Sequence, residues 1–195
     1  MPKFNLSTSD SIEKNYERGL LPQRNNKDKF YFDSSSRSNL ADFSLSSENK
    51  RIINKTENFA YKSLPLSSLN FDLFLQKQLY KWIKELDWSF PISSVKIIFN
   101  NHIFNHVDIW YDKDIPIAYL ISYIDKNITH AAYLFYDSKY SHGNLPIRIV
   151  LQFVIDSQKQ DKKYCYLGRF SKEIGFYKRN MPNFEYFKDN QWLKY

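Results

Sequence analysis

The chain has 195 residues, of which 43% are hydrophobic and 18% aromatic, so it can bury a sizeable core and is not disordered throughout. A single cysteine, Cys165, excludes a disulfide framework and every metal site that needs several cysteines. The four glycines are too far apart for a GxGxxG or P-loop motif, which excludes a glycine-rich phosphate-binding loop.

The net charge of +7 allows a polyanionic partner and lies mainly at the two ends of the chain. Residues 1–64 carry +3, residues 65–161 carry −1 and residues 162–195 carry +5. Two interpretations stay open. The lysines are ordinary solvated surface residues, or the two ends meet in space and form one basic face.

The first 19 residues contain no apolar core and few arginines, so we expect no targeting signal in them. The longest apolar stretches, 115–124 and 145–155, are too short and too polar to cross a bilayer. We therefore expect no membrane association and a cytoplasmic location.

Residues 1–64 are predicted to form an N-terminal arm or segment. Residues 1–27 are polar and weakly periodic, which predicts an arm or an irregular cap. KFYF (29–32) predicts a short strand. DSSSRSN (33–39) predicts a turn-rich loop, because Asp and Ser side chains compete for backbone hydrogen bonds.

The remainder of this segment predicts one helix. Residues 40–59 are expected to open as a strand and continue as a short helix. Ser46 or Ser47 can cap that helix, with Glu48 in its first turn. Residues 64–68 are predicted to be a linker to a second segment, residues 65–195.

That second segment begins with a helix after Asn70, its predicted N-cap, and the helix cannot continue past Pro91. Apolar residues recur there at three- and four-residue steps: Phe71, Phe74, Leu75, Leu79, Trp82, Ile83 and Leu86. Runs rich in β-branched and aromatic residues then predict an antiparallel meander. Its four strands are 95–100, 106–111, 116–124 and 129–136.

A second helix is predicted over 145–160, with Pro146 in its first turn, where a missing N–H costs nothing. A strand follows at 164–168, then an irregular basic stretch and a last strand at QWLKY. This order predicts an α+β fold with a mostly antiparallel sheet flanked by helices. It is compatible with an N-acetyltransferase-like (GNAT-type) fold.

The sequence gives little support to hydrolytic or metal chemistry. There is no GxSxG motif, no local Cys-His signature and no HExxH, and His102 and His106 fall in a predicted turn between strands. Cys165, between two tyrosines in a strand, is expected to be a core residue. We predict no metal and no cofactor.

Two clusters contain candidate site residues at strand ends. In YLFYDSKY (133–140), a strand ends at Tyr136 and Asp137, so Asp137 is either a catalytic acid or base or simply a turn residue. In YCYLGRF (164–170), Gly168 permits close backbone approach and Arg169 projects from the strand end.

A third cluster, FYKRNMPNFEYF (176–187), places Tyr177, Lys178 and Arg179 side by side. Cations interleaved with aromatic rings suit phosphate contact and base stacking. The alternative is a surface tail whose aromatic side chains pack down on the sheet.

In this order and spacing, the three clusters resemble the C-terminal domain of the arginyl- and leucyl-tRNA–protein transferases. The residues that match the motifs of this family are Tyr133, Phe135, Tyr136, Asp137, Tyr164, Tyr166, Leu167, Gly168, Tyr177, Lys178, Pro182 and Trp192. The stretch 40–55 is also similar to the family's N-terminal part. Its matching residues are Phe43, Ser46, Lys50 and Arg51.

The resemblance implies an N-acetyltransferase-like fold. It also implies transfer of Arg or Leu from charged tRNA to the N-terminal amine of an acceptor protein that begins with an acidic residue, which tags that protein for degradation. By this resemblance Asp137, Tyr136 and Tyr166 are the candidate catalytic residues. The candidate substrate-binding residues are Arg37, Ser46, Arg51, Tyr133, Leu167, Gly168, Arg169, Tyr177, Lys178 and Arg179.

The chain also departs from the family pattern. FDSSSRSN (32–39) stands where the family has paired cysteines, so a metal or iron–sulfur cluster held there is not expected. Arg169 replaces an aromatic residue, and Ser138 replaces a proline. Two other functions remain open: an acyl-CoA-dependent N-acetyltransferase and a non-catalytic RNA-binding protein. The connection DSKYSHGNLP (137–146), with one glycine, counts against the first.

Overall fold

The computed structural model describes residues 9–171, 173 and 175–195. The helices of this part are α1 (Ser9–Glu17), α2 (Ser47–Lys55), α3 (Leu73–Glu85), α4 (Ile92–Phe99) and α5 (Leu145–Lys159). The strands are β1 (Leu20–Pro22), β2 (Phe30–Phe32), β3 (Ser35–Asn39), β4 (Phe59–Pro65), β5 (His106–Asp112), β6 (Ile115–Ile124), β7 (Ile128–Tyr136), β8 (Tyr164–Arg169), β9 (Phe184–Lys188) and β10 (Gln191–Lys194). Short 3-10 turns lie at Leu66–Ser68, Ser138–Tyr140 and Phe176–Asn180.

One eight-stranded sheet organises the molecule, in the order β10-β9-β3-β8-β7-β6-β5-β4. Its neighbouring strands are antiparallel except for β7 and β8, which run parallel. A crossover through α5 makes this parallel pairing possible, as parallel neighbours require. The predicted α+β fold with a mostly antiparallel sheet is confirmed.

Helices cover both faces of the sheet. On one face, α1, α3 and α4 bury residues such as Tyr16, Leu79 and Ile98. On the other, α5 and α2 bury residues such as Ile149 and Ile52. The first face is called the α3 face below, and the second the α5 face.

The described part of the predicted irregular arm is ordered and packed. Residues 9–17 form α1, and Tyr16 on this helix is fully buried. The predicted turn-rich loop over 33–39 is wrong, because Ser35–Asn39 forms β3 and its hydroxyl-bearing residues are buried. β3 lies between β8 and β9, which supply backbone partners on both sides and override the local preference of serine for turns. The predicted segments 1–64 and 65–195 therefore share one sheet.

The predicted strand at 95–100 is also wrong, because Ile92–Phe99 forms α4. Val95 and Ile98 are one helical turn apart and both buried, so packing outweighs the strand preference of β-branched residues. Three further strands were not predicted from the sequence: β1, in the predicted arm, β4, between the predicted helix and linker, and β9, in the predicted irregular stretch.

Other elements follow the predictions closely. Ser46 caps α2 in a capping box with Asn49, although residues 40–45 do not form the expected strand. The third helix begins at Leu73 and is capped by Asp72, not by Asn70. Five elements begin and end within one or two residues of their predicted bounds: the strands β5, β6, β7 and β8 and the helix α5.

Both ends of the described chain meet at one edge of the sheet. β9 pairs with β3, and the Trp192 indole N–H on β10 donates a 2.9 Å hydrogen bond to the Glu17 carbonyl on α1. The ends of the chain therefore do approach each other, which the formation of one basic face requires.

Candidate functional site

The parallel strands β7 and β8 are paired over three residues and then separate. The last pair is His130 with Tyr166. Directly beyond it, Ala132 is skipped in the pairing of β7 with β6, and Leu167 is skipped in the pairing of β8 with β3. Such bulges bend strands. Gly168 follows with φ of 76°, a backbone conformation that glycine adopts without steric cost.

The separation of these strands opens a cavity on the α5 face, called the β7–β8 cleft below. It has a volume of about 250 Å³. The residues that matter most for its chemistry are Trp88, Tyr136, Pro146, Leu167, Tyr177 and Lys178. Four predicted site residues, Tyr136, Leu167, Tyr177 and Lys178, are thus brought together from the three sequence clusters.

The polar groups of the cleft are hydrogen-bond donors at neutral pH. Burial lowers the pKa of Lys178 to about 8, against the opposing effect of the Asp33 charge. Its Nζ donates a 2.8 Å hydrogen bond to the Arg169 carbonyl. Burial, with a smaller contribution from Tyr136, raises the pKa of Tyr177 to about 12, and burial also raises the pKa of Tyr136. Both phenols therefore keep their protons.

Trp88 and Pro146 were not predicted as site residues. The Trp88 ring packs edge-to-face on Tyr136, with 5.7 Å between the ring centroids. Trp88 follows α3 and Pro146 begins α5, so they come together only through the packing of these helices. No pattern in the sequence connects them with the three clusters.

A second cavity lies beside the same strand ends on the α3 face, where Tyr133 packs against the core. This far-face cavity has a volume of about 580 Å³, and its lining includes Arg24, Tyr31, Tyr133 and Arg169. Arg24 stacks 4.6 Å above the Phe90 ring, and Arg169 lies 3.2 Å from an Asp33 carboxylate oxygen. Tyr133 and Arg169 were predicted as substrate-binding residues, whereas Arg24 was missed because it lies in the predicted arm.

Asp137, the predicted proton-handling residue, follows Tyr136 at the margin of the cleft. Its carboxylate accepts a 3.0 Å hydrogen bond from the Lys139 amide and caps the Ser138–Tyr140 turn. Its own amide donates to the Ile117 carbonyl at 2.9 Å. Asp137 therefore makes the hydrogen bond expected of a turn residue. The catalytic role of Asp137 stays a prediction.

Tyr166 and Arg37 lie in the core and do not line the cleft. Tyr166 is fully buried, and burial raises its pKa. The Arg37 guanidinium forms a 2.7 Å ion pair with Glu185 and stacks 3.7 Å from the Tyr164 ring and 4.0 Å from the Trp192 ring. Its charge therefore already has a buried partner.

Of the remaining predicted binding residues, three lie on or beside α2 and one, Gly168, adjoins the cleft. The Ser46 hydroxyl accepts a hydrogen bond from the Asn49 amide, and exposed Arg51 is paired with Glu48. Ser46 and Arg179 line a separate groove of about 430 Å³. Gly168 lies next to Leu167 on the cleft wall, and its surroundings include Lys178. The thirteen predicted residues thus divide among the cleft and its margin, the far-face cavity, α2 with its adjoining groove, and the core.

The chain is similar in sequence and in fold to known proteins. No family model matches the chain. The chain is 38% identical over 72 residues to an aspartate/glutamate leucyltransferase from Saccharophagus degradans. The match covers 36% of this chain and 30% of that relative, so it spans less than a third of the relative's length. It bears out the suspected resemblance to the aminoacyl-tRNA–protein transferases.

Solved structures share the fold at low sequence identity. The C-terminal domain of a protein assigned as a lysylphosphatidylglycerol synthetase, from Agrobacterium fabrum, superposes with a TM-score of 0.54 at 11% identity. That alignment covers 89% of this chain and 56% of that chain. L-PGS from Bacillus licheniformis gives 0.52 at 9% identity, covering 89% and 55%.

A fungal GCN5-related glucosamine N-acetyltransferase region gives a TM-score of 0.51 at 11% identity, covering 96% of this chain and 23% of that chain. Among the described residues, no helix combines the length and apolarity needed to cross a membrane. The chain therefore has the fold of the GCN5-related N-acetyltransferases and, over 72 residues, resembles the aspartate/glutamate leucyltransferases.

Proposed function

We propose that this protein is an aminoacyltransferase that moves an aminoacyl group, Leu or Arg, from charged tRNA to the N-terminal amine of an acceptor protein. The observation that carries the proposal is the composition of the β7–β8 cleft. Tyr136, Leu167, Tyr177 and Lys178 come from the three clusters that carry the family resemblance, and all four line this one cavity. The partial match to a leucyltransferase and the transferase-type fold support the same activity.

The reaction depends mainly on the positioning of the two substrates and on stabilisation of the charge that develops in the transition state. The donor is an ester, which is already activated, so the acceptor amine nitrogen attacks its carbonyl carbon directly. The new C–N bond forms, the ester C–O bond breaks, and the tRNA ribose oxygen leaves with a proton while the amine nitrogen loses one. Lys178 and the two phenols supply donors beside this reaction, in a site where positioning lowers the barrier.

We assign the aminoacyl end of the donor to the cleft and the acceptor N-terminus to the far-face cavity. Both cavities lie beside the separated ends of β7 and β8, and this assignment requires the two substrates to meet in the gap between these strand ends. Arg169 and Arg24 line the far-face cavity and suit an acidic acceptor side chain. The other predicted arginines, Arg37, Arg51 and Arg179, do not line this cavity, and Arg169 can turn from its exposed ion pair with Asp33 to an acceptor carboxylate.

The start of α5 favours an ester donor over acyl-CoA. Acyl-CoA binding on such a fold draws on backbone N–H groups at a helix N-terminus to hold the pyrophosphate. Here Pro146 occupies the first turn of α5 and removes one N–H group, and Asn144 caps it in the left-handed conformation without a side-chain hydrogen bond. The preceding connection contains one glycine, Gly143.

The test uses the purified protein with tRNA charged with radiolabelled Leu or Arg and peptides that begin with Asp, Glu, Lys or Ala. We expect labelled peptide with at least one charged tRNA, and none with free amino acid. Acetyl-CoA is offered in a parallel reaction. Salt-dependent binding of uncharged tRNA with no product from any charged tRNA would identify a non-catalytic RNA-binding protein, and saturable acetylation would identify an N-acetyltransferase; either result overturns the proposal.

A further inference from the structure

Next to the cleft, a buried histidine has an unpaired ring nitrogen. His130 is 4% exposed and belongs to the last pair of β7 with β8. Its Nδ1 lies 2.8 Å from the Tyr16 hydroxyl, whereas its Nε2 has no hydrogen-bond partner among the described residues. An unpaired buried polar atom is costly, so its presence at a candidate site calls for an explanation.

The contact with Tyr16 determines which nitrogen carries the proton. Tyr16 is fully buried, and within the described part of the chain its hydroxyl bonds to His130. If Nδ1 donated to the phenol oxygen, both the phenol proton and the Nε2 lone pair would lack partners. Donation from the Tyr16 hydroxyl to Nδ1 leaves a single group unpaired. We therefore assign the neutral tautomer with an Nε2–H donor.

This nitrogen and the Lys178 ammonium lie close to the same point beside Gly168. A Cβ atom placed on Gly168 would lie 3.5 Å from His130 Nε2 and 3.7 Å from Lys178 Nζ. Because residue 168 is glycine, no side chain fills the space between these two nitrogens beside its Cα atom, and this space is called the Gly168 niche below. Lys178 lines the β7–β8 cleft as well, so its side chain connects the niche with the cleft.

We propose that His130 and Lys178 form a two-donor site in the Gly168 niche that binds the carbonyl oxygen of the aminoacyl ester. This inference rests on the proposed function. As the acceptor nitrogen bonds to the carbonyl carbon, the electron pair of the C=O bond moves to the oxygen, which becomes an oxyanion held by the two N–H groups. The pair returns when the ester C–O bond breaks, and the ribose oxygen leaves with a proton. Donors aimed at such an oxygen act mainly on the transition state.

The proposal gives α1 a role. Tyr16 does not touch the substrate; it is a positioning residue that holds the imidazole with its donor toward the niche. Burial, with the nearby charge of Lys178, lowers the pKa of His130 to about 3, so the ring is neutral throughout the pH range of an assay. A neutral imidazole can donate from Nε2 without adding a second positive charge beside Lys178.

The test measures kcat and KM for charged tRNA in the full-length protein. His130→Leu removes the donor, and we expect kcat to fall about 100-fold or more with KM within about threefold. His130→Gln carries an amide N–H near the Nε2 position and should recover most of the loss. Tyr16→Phe should lower kcat about tenfold, because the imidazole of His130 is then no longer held in the Nε2–H tautomer. His106→Leu, on β5 and outside both cavities, serves as the matched control.

Nitrogen-15 NMR of the wild-type histidines tests the tautomer that the two-donor site requires, whereas a loss in kcat at nearly constant KM and its recovery in His130→Gln are results that a purely structural role would not produce. The proposal requires His130 to be protonated at Nε2 alone, and in Tyr16→Phe a mixture of tautomers. If His130→Leu does not fold, the spectrum and Tyr16→Phe decide. Wild-type kcat in a folded His130→Leu variant, or an Nδ1–H tautomer, would overturn the two-donor site and leave the transferase intact. Absence of transfer by the wild type would instead reject the proposed function, and this catalytic role with it.

Discussion

His130 and Tyr166 are the last paired residues of β7 and β8, and both strands bulge directly after them. Because the pairing stops at that point, the ends of the two strands present residues to a cavity on each face of the sheet. Candidate residues from distant parts of the sequence, such as Tyr136 and Lys178, meet there. The following predictions test what this arrangement does.

The pH dependence of transfer should report Lys178. Its pKa of about 8 means that the ammonium is lost as the pH rises through 8, whereas the acceptor amine, with a pKa of about 7.7–8.0, becomes nucleophilic over the same range. We expect a bell-shaped profile of kcat/KM between pH 6 and 10 for the wild type. In Lys178→Met the falling limb should disappear and the rate should drop about 100-fold. A wild-type rate that still increases above pH 9 would contradict a role for the ammonium.

Arg169 should govern the choice of acceptor. In Arg169→Gln we expect kcat/KM for peptides that begin with Asp or Glu to fall about 10- to 100-fold, because a charge-assisted hydrogen bond is lost. Transfer to any uncharged acceptor should change little. Arg51→Gln, which breaks an exposed ion pair with Glu48, is the control and should behave as the wild type. Equal losses for acidic and uncharged acceptors would place Arg169 outside acceptor recognition.

The Arg37–Glu185 pair should be structural. Both side chains are buried and lie 2.7 Å apart, so Arg37→Met leaves the Glu185 carboxylate buried without a counter-charge. We expect a loss of about 3–5 kcal/mol in the free energy of unfolding, measured by urea denaturation. The double variant Arg37→Met/Glu185→Gln should recover most of it. A loss below about 1 kcal/mol in the single variant would show that the pair is solvated.

Asp108 should make stability depend on pH in the acidic range. This residue is 4% exposed, and burial, reinforced by Asp156 and opposed by a Ser63 hydrogen bond, raises its pKa to about 6. A carboxyl group whose pKa is higher in the folded state stabilises the fold at low pH, and that contribution is lost as the pH rises from about 4 to about 6.

In Asp108→Asn this pH dependence should vanish, and at pH 7 the variant should be more stable than the wild type by about 2 kcal/mol. Urea unfolding at pH 4, 5, 6 and 7 measures both effects. Parallel stability curves for the two proteins across this range would show that Asp108 titrates normally in the folded state.

The sequence predicted the elements whose local pattern and tertiary role agree. The helices α2, α3 and α5 and the strands β5 to β8 combine a clear period with caps or turn residues that suit them. The sequence pattern gave wrong predictions where tertiary packing determines the secondary structure. Serine-rich β3 is a strand because it lies between β8 and β9, and β-branched α4 is a helix because its apolar residues are buried.

The candidate site divides in the same way. Tyr136, Leu167, Tyr177 and Lys178 were predictable because each belongs to a contiguous motif. Trp88 and Arg24 were not, because they reach the strand opening through helix packing and through a segment that the sequence presents as an arm. His130 was not predicted as a site residue, since its contact with Tyr16 joins residues 114 positions apart in the sequence.

The central claim is that the β7–β8 cleft transfers an aminoacyl group from tRNA. The most direct measurement compares wild type, Lys178→Met and Lys188→Met for transfer of radiolabelled Leu or Arg from charged tRNA to acidic-start peptides. Lys188 is exposed on β9, so its variant removes the same charge away from the cleft. We predict transfer by the wild type and Lys188→Met, and a loss of about 100-fold in Lys178→Met. Equal transfer by all three proteins, or none from any charged tRNA, would contradict the account.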